Sequence, residues 1–193
     1  MTNDRKLAEL VSVACHDIAT PLATVYGFAR TLERAELEAP AGRYVEMIGA
    51  ASEQIGELLE RLRLIARVEA GRYEPVLASV DSLALVEEAA AQLDESRVSV
   101  AGEGSEVRVD VEPTRWALGQ LARAAARHGG HETVAYDVRG AELDLSPLSR
   151  TAEPVVLGEK LLEFAAPAAG LVIEAGGGSL EARDGSLLIR LPE

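Results

Sequence analysis

His16, Asp17 and Thr20 are the residues of this chain best placed by type and spacing to do chemistry. A neutral imidazole nitrogen is a nucleophile near pH 7 and can accept a phosphoryl group. A carboxylate next to it can take a proton from the ring or orient it. An apolar stripe runs through the same stretch at alternating steps of three and four: Leu7, Leu10, Ala14, Ile18, Leu22, Val25, Phe28 and Leu32. That spacing predicts a helix with a seam for other helices. At about 100° per residue, His16 falls roughly 200° from both Ala14 and Ile18, off the stripe and toward solvent. Thr20, one turn on, shares its face. On composition alone, a solvated surface histidine would be the favoured explanation.

The chain that must position these groups has 193 residues, enough for one or two small domains. It is 48% hydrophobic and 26% charged, which suffices for a core. Its apolar share leans on Ala, Leu and Val, and only 4% is aromatic, which suits helices. A formal charge of -13 argues against nucleic acid and anionic membranes as partners. The single cysteine, Cys15, leaves no internal disulfide and fits a reducing cytoplasm. The N-terminus has no signal-peptide pattern, and no apolar run approaches membrane-spanning length.

The first helix is expected to be capped at Asn3 or Asp4 and to run to about Ala35, with Pro21 bending it just past the histidine. A loop over Glu36–Gly42 precedes a second helix with Val45, Ile48, Ile55, Leu58, Leu59, Leu62, Ile65 and Val68 on its inner face, ending at Gly71. Two such helices make an antiparallel hairpin, and one hairpin cannot cover its own stripes. Two copies would form a four-helix bundle, so a homodimer is expected; the alternative is packing on the second half of the same chain. From Tyr73 the pattern becomes mixed. Strands are expected near 74–80, 98–101 and 106–111, and helices over Ser82–Leu93 and from Pro113 to His128. A hairpin about Gly140, a mostly helical stretch from Leu157 to Glu174 broken at Pro167, and a hairpin around Asp184-Gly185 complete an α+β order.

Cys15-His16-Asp17-Ile18-Ala19-Thr20-Pro21-Leu22 resembles the phosphoacceptor box of bacterial sensor histidine kinases, His-Glu/Asp-x-x-Thr/Asn-Pro-Leu. Arg67-Val68-Glu69-Ala70-Gly71-Arg72 resembles the end of that family's second dimerisation helix. The closing Ile173-Glu174-Ala175-Gly176-Gly177-Gly178 and Ile189-Arg190-Leu191-Pro192 resemble the ending of its ATP-binding domain. The resemblance implies a dimerisation and phosphotransfer hairpin over residues 1–72. A Bergerat-type α/β sandwich would follow over 73–193. It implies His16 as phosphoacceptor and Asp17 as its proton partner, and Thr20 as a residue that positions water for dephosphorylation. It also implies receiver domains of response regulators as partners, each supplying its own Mg2+. Starting at Met1, the chain is expected to lack the sensor and membrane segments that usually precede the box.

Small residues on the exposed face, Ala19, Ala23 and Gly27, would let a partner helix approach closely, although plain helix propensity also accounts for them. The ATP boxes of the second domain are missing. The family's magnesium-holding asparagine would fall at about Ala124, which carries no carboxamide. Asp144 is the remaining candidate for the adenine-reading aspartate, but no glycine follows it. The phosphate-cradling glycine turn is replaced by Glu163-Phe164-Ala165-Ala166, and a glutamate there would repel phosphate. The stretch from Leu145 to Leu157 is short for a lid. Residues 76–193 hold 10 of the 19 basic and 20 of the 32 acidic side chains, a poor setting for a triphosphate. Gly176-Gly177-Gly178 lacks the following Lys-Ser/Thr of a P-loop. No nucleotide or metal is therefore expected on this chain.

Other candidates weigh less. His128 and His131 hint at a metal but lack a third ligand nearby. Cys15 and His16 diverge by about 100° and cannot form a nucleophile pair, so a half-buried thiol is expected. Trp116, Leu118 and Leu121 are expected in the core, and Glu33, Glu36 and Glu38 on solvated surface. Three functions are compatible with the whole pattern. One is a dimeric histidine phosphotransferase, another a degenerate kinase acting as a receiver phosphatase, and the third a non-catalytic scaffold.

Overall fold

The computed structural model describes residues 2–35, 37, 39–93 and 98–193, with the side chains of 2–10 and 12–14 left aside. The chain divides into two compact units, Met1–Tyr73 and Glu74–Glu193. The first holds α1 (Thr2–Glu33) and α2 (Ala41–Glu69), packed along one another as a hairpin. Asn3 and Asp4 lie inside the first turn of α1 rather than ahead of it, and Gly42 lies inside α2 rather than in the loop. Glu36 and Glu38 are outside the described residues, as are the side chains of Leu7, Leu10 and Ala14. Gly71, at φ +64°, ends α2. Its N–H donates to the Val68 carbonyl at 2.9 Å, and the Arg72 N–H donates to that of Arg67 at 2.8 Å. This is a complete Schellman cap, which only glycine adopts without strain.

The hairpin seam differs from the expected stripe. Val45, Leu59 and Ile65 are buried, together with Cys15, Ala29, Gly49, Ser52, Ala66 and Ala70. Ile18, Val25, Phe28 and Leu32 on α1 stay exposed, as do Ile48, Ile55 and Leu58 on α2. The two helices meet through small residues, which lets their backbones approach. A Cβ on Gly49 would come within 2.9 Å of the Glu33 carboxylate. Several large apolar side chains, Phe28 and Leu58 among them, are left on the outside.

The second unit runs β1 (Leu77–Asp81), α3 (Ser82–Ala91), β2 (Val98–Gly104), β3 (Glu106–Asp110), α4 (Val111–Gly129), β4 (Val134–Gly140), β5 (Glu142–Ser146), α5 (Glu153–Val156), α6 (Ala165–Ala175), β6 (Ser179–Arg183) and β7 (Ser186–Arg190). β1 and β3 pair antiparallel; the other five form a sheet in the order β2-β4-β5-β7-β6, parallel only between β2 and β4. The Asp81 carboxylate caps α3, accepting from the Ala84 N–H at 3.0 Å. Val134, Tyr136, Val138, Leu143, Leu145, Leu187 and Ile189 are no more than 2% exposed and make the apolar face of the sheet. α3, α4 and α6 pack on one another and on the sheet. The Tyr136 hydroxyl donates to the Leu118 carbonyl of α4 at 2.7 Å. Leu118 and Leu121 are fully buried as expected, whereas Trp116 is only half-buried.

Residues 157–164 correct the expected helix from Leu157 to Glu174. α5 stops at Val156, Gly158 turns the chain at φ +73°, and helix resumes only at Ala165. Pro167 is therefore no break: it stands in the first turn of α6, where its missing N–H has no intrahelical acceptor to lose.

Candidate functional site

His16, Asp17 and Thr20 lie exposed on one stretch of α1, and Cys15 faces the other way into the hairpin at 1% exposure. Burial pushes the Cys15 thiol above its ordinary value; Arg63 on α2 opposes the shift and Glu60 adds to it. A buried, protonated thiol is no partner for the exposed imidazole, and it is more buried than the half-buried site expected for it. Pro21 sits within α1 and brings no N–H to the Asp17 carbonyl one turn back. One turn beyond His16, a groove of about 250 Å3 opens between the helices. Ala19, Leu22, Ala23 and Tyr26 line it from α1, and Ser52, Gly56 and Leu59 from α2. Glu53 and Glu60 of α2 also line it. Gly27 does not join Ala19 and Ala23 there; it is exposed, with open space around its Cα.

In the second unit Ala124 is 1% exposed, packed among Leu121, Ala122 and Ala125 of α4, which are also fully buried. Asp144 alternates with buried Leu143 and Leu145 on β5, so its side chain is on the opposite face of the sheet from α4 and α6. There it stands directly across from Asp137 of β4, and its Oδ1 is enclosed with no hydrogen-bond partner among the described residues. The adenine-reading expectation for Asp144 is thus corrected by strand alternation. The same face carries Arg190, which donates to Glu142 at 2.9 Å and pairs with Glu181 at 3.3 Å. The hydrogen bond from Arg190 lowers the Glu142 carboxyl below its usual range.

Glu163 stands just before α6. Its Oε2 lies 3.2 Å from Arg127 Nη1 and 3.3 Å from His128 Nε2, both at the end of α4. His131, the other histidine of the pair, lies instead against Gly129, where a Cβ would meet its ring at 2.5 Å. Among the described residues, no group of three or more His, Cys, Asp or Glu converges as a metal site. Nothing in the sequence signals the Glu163 contacts beyond a basic pair at a helix end, because the partners are 36 residues apart.

Residues 6–71 match the model of the His Kinase A (phospho-acceptor) domain. The hairpin thus resembles a His Kinase A domain. Two solved structures are similar over nearly the whole chain. Full-length ShkA in complex with AMPPNP shares 22% identity at a TM-score of 0.71, covering 95% of this chain and 45% of that one. The Acinetobacter baumannii histidine kinase AdeS shares 18% at a TM-score of 0.60, covering 92% of this chain and 97% of that one. No curated protein sequence matches. At these identities the likeness is one of fold: the second unit has the mixed-sheet architecture of a histidine kinase's HATPase-like domain. The chain thus has the core architecture of a two-component histidine kinase, and it spans less than half the length of ShkA. Among the described residues, no helix is long and apolar enough to cross a membrane. Within the hairpin, His16, Asp17 and Thr20 occupy a solvent-facing stretch at the level of the groove lined by Ala19 and Ala23.

Proposed function

We propose that this chain is a histidine phosphotransferase of a two-component phosphorelay. It carries a phosphoryl group on His16 between the aspartates of response-regulator receiver domains, as a cytoplasmic homodimer joined through the His Kinase A hairpin. The observation that carries the proposal is a pairing within one chain. His16 is exposed on a phospho-acceptor hairpin. The second unit offers buried Ala124, an Asp144 on the sheet face away from α4 and α6, and a carboxylate at Glu163 where a nucleotide would need ligands. Those residues do not fit ATP, and no step runs through it.

In the proposed transfer, the lone pair of a His16 ring nitrogen attacks the phosphorus of a receiver aspartyl phosphate. The N–P bond forms, the P–O bond to the aspartate breaks, and the aspartate leaves as carboxylate. The proton on the other ring nitrogen passes to Asp17 or to water. Transfer to a second receiver runs the same steps in reverse. The receiver's own Mg2+ would neutralise the charge on the transferring group. The groove lined by Ala19 and Ala23 is the proposed seat of a receiver helix, with Gly27 on the same helix further along. A second reading is favoured by Thr20, whose exposure one turn from His16 suits positioning a water for receiver dephosphorylation.

The experiment mixes wild type and His16→Ala separately with radiolabelled ATP and with phosphorylated receivers. Label should reach wild type from a receiver, never from ATP, and never reach His16→Ala. Labelling from ATP would make the second unit a working kinase domain. Loss of receiver label as free phosphate, with no labelled protein intermediate, would assign the phosphatase.

A further inference from the structure

We infer that Glu163 is a latch: its carboxylate bridges Arg127 and His128 at the end of α4, holds the 157–164 segment there, and fills a site that would otherwise take an oxyanion of the phosphate class. This goes beyond the proposed transfer reaction and stands independently of His16.

One carboxylate oxygen, Oε2, lies 3.2 Å from the guanidinium and 3.3 Å from the imidazole. The hydrogen bond is the one from Arg127, whose side chain is 64% exposed, while the Glu163 and His128 side chains are only 19% and 18% exposed, so the carboxylate end of the contact is partly shielded from water. Other bonds of the segment run along the chain. The Leu157 N–H donates to Glu153 at 2.9 Å, and the Lys160 N–H to Pro154 at 2.8 Å, both in α5. At the far end, the Ala168 N–H donates to the Phe164 carbonyl at 3.2 Å. Apolar burial does not hold it either, since Leu161 and Leu162 are 75% and 56% exposed. Among the described residues, the polar ties from this segment to α4 are those of Glu163. Removing the carboxylate leaves Arg127 and His128 without their shared anion. A guanidinium fork beside an imidazole suits the oxygens of a free phosphate.

Hydrogen exchange over residues 157–164 tests this, in the full chain with inorganic phosphate or chloride at equal ionic strength. Wild type should be indifferent to the choice of anion. In Glu163→Ala, exchange in chloride should rise by up to about fivefold, the range expected when a pair of this kind is lost. Phosphate cannot restore the lost tie, but it should bind this variant, read as a saturable shift in a phosphorus NMR titration. In the double variant Glu163→Ala/Arg127→Ala, phosphate should do nothing. Unchanged exchange in Glu163→Ala would overturn the latch, and phosphate acting equally on the single and double variants, or on neither, would overturn the oxyanion site. If Glu163→Ala does not fold by circular dichroism, Glu163→Gln keeps the shape, removes the charge, and must show the same rise and the same phosphate binding.

Discussion

Replacing Phe28 by glutamate should split a dimer without harming the protomer. In one copy Phe28 is 66% exposed, beside Val25 and Leu32 on the same face of α1. If a second hairpin covers that face, each Phe28 gains burial over about two thirds of its surface. Full burial of such a side chain contributes about 1.5–3 kcal/mol, so about two thirds of that is about 1–2 kcal/mol per copy. A two-fold dimer uses the residue twice, giving about 2–4 kcal/mol, or roughly 30- to 700-fold in the dissociation constant. Glutamate adds charge repulsion across the axis to this loss. Sedimentation of the full chain over a concentration series reads the shift, with Ile55→Glu on α2 as an independent second probe. Protomer unfolding by circular dichroism, at concentrations where both proteins are monomeric, should move by less than about 0.5 kcal/mol, as for other exposed positions. A wild type that stays monomeric at high concentration, or a Phe28→Glu protein with undiminished association, would refute the proposed bundle.

Two further outcomes follow from the described geometry. Ala124→Asn restores the side-chain type that nucleotide binding would need, but at a site 1% exposed. It should lower stability by about 1–3 kcal/mol in urea titration, as an added polar group in a packed interior does, with no gain of ATP binding by calorimetry. The Cys15 thiol is protonated more tightly in the folded state than in the unfolded chain. Folded protein therefore holds the extra proton as pH rises through the ordinary thiol range. Stability should fall across that window and level off above the raised folded value, and Cys15→Ala should flatten the fall in pH-dependent unfolding curves.

Periodicity carried much of the architecture. The three-four spacing around Ile18 and Ile55 announced two long helices, and Gly71, Gly140 and Gly185 marked a cap and two hairpin turns that all take positive φ. These are local signals: a glycine needed at φ > 0 acts through its own backbone, whatever lies elsewhere. The alternation Leu143-Asp144-Leu145 already held the face of Asp144, but it takes the packing of α4 and α6 on one side of the sheet to say which face matters. The stretch from Leu157 to Glu174 misled because its residues suit a helix. Gly158 and the ion contacts of Glu163 outweighed propensity over the first half.

By itself, then, the order of residues placed His16 off the apolar stripe of α1, because helical periodicity fixes which side chains share a face. It also determined that position 124 itself carries no carboxamide, which no folding can supply. Tertiary structure alone decided how the apolar stripe is shared. Small residues such as Ala29, Gly49 and Ser52 took the seam within the hairpin, because close backbone approach buries more contact per turn, and that left Phe28 and Leu58 facing outward. It alone decided that Glu163 meets Arg127 and His128, because a contact across 36 residues exists only once two helices have been packed end to start.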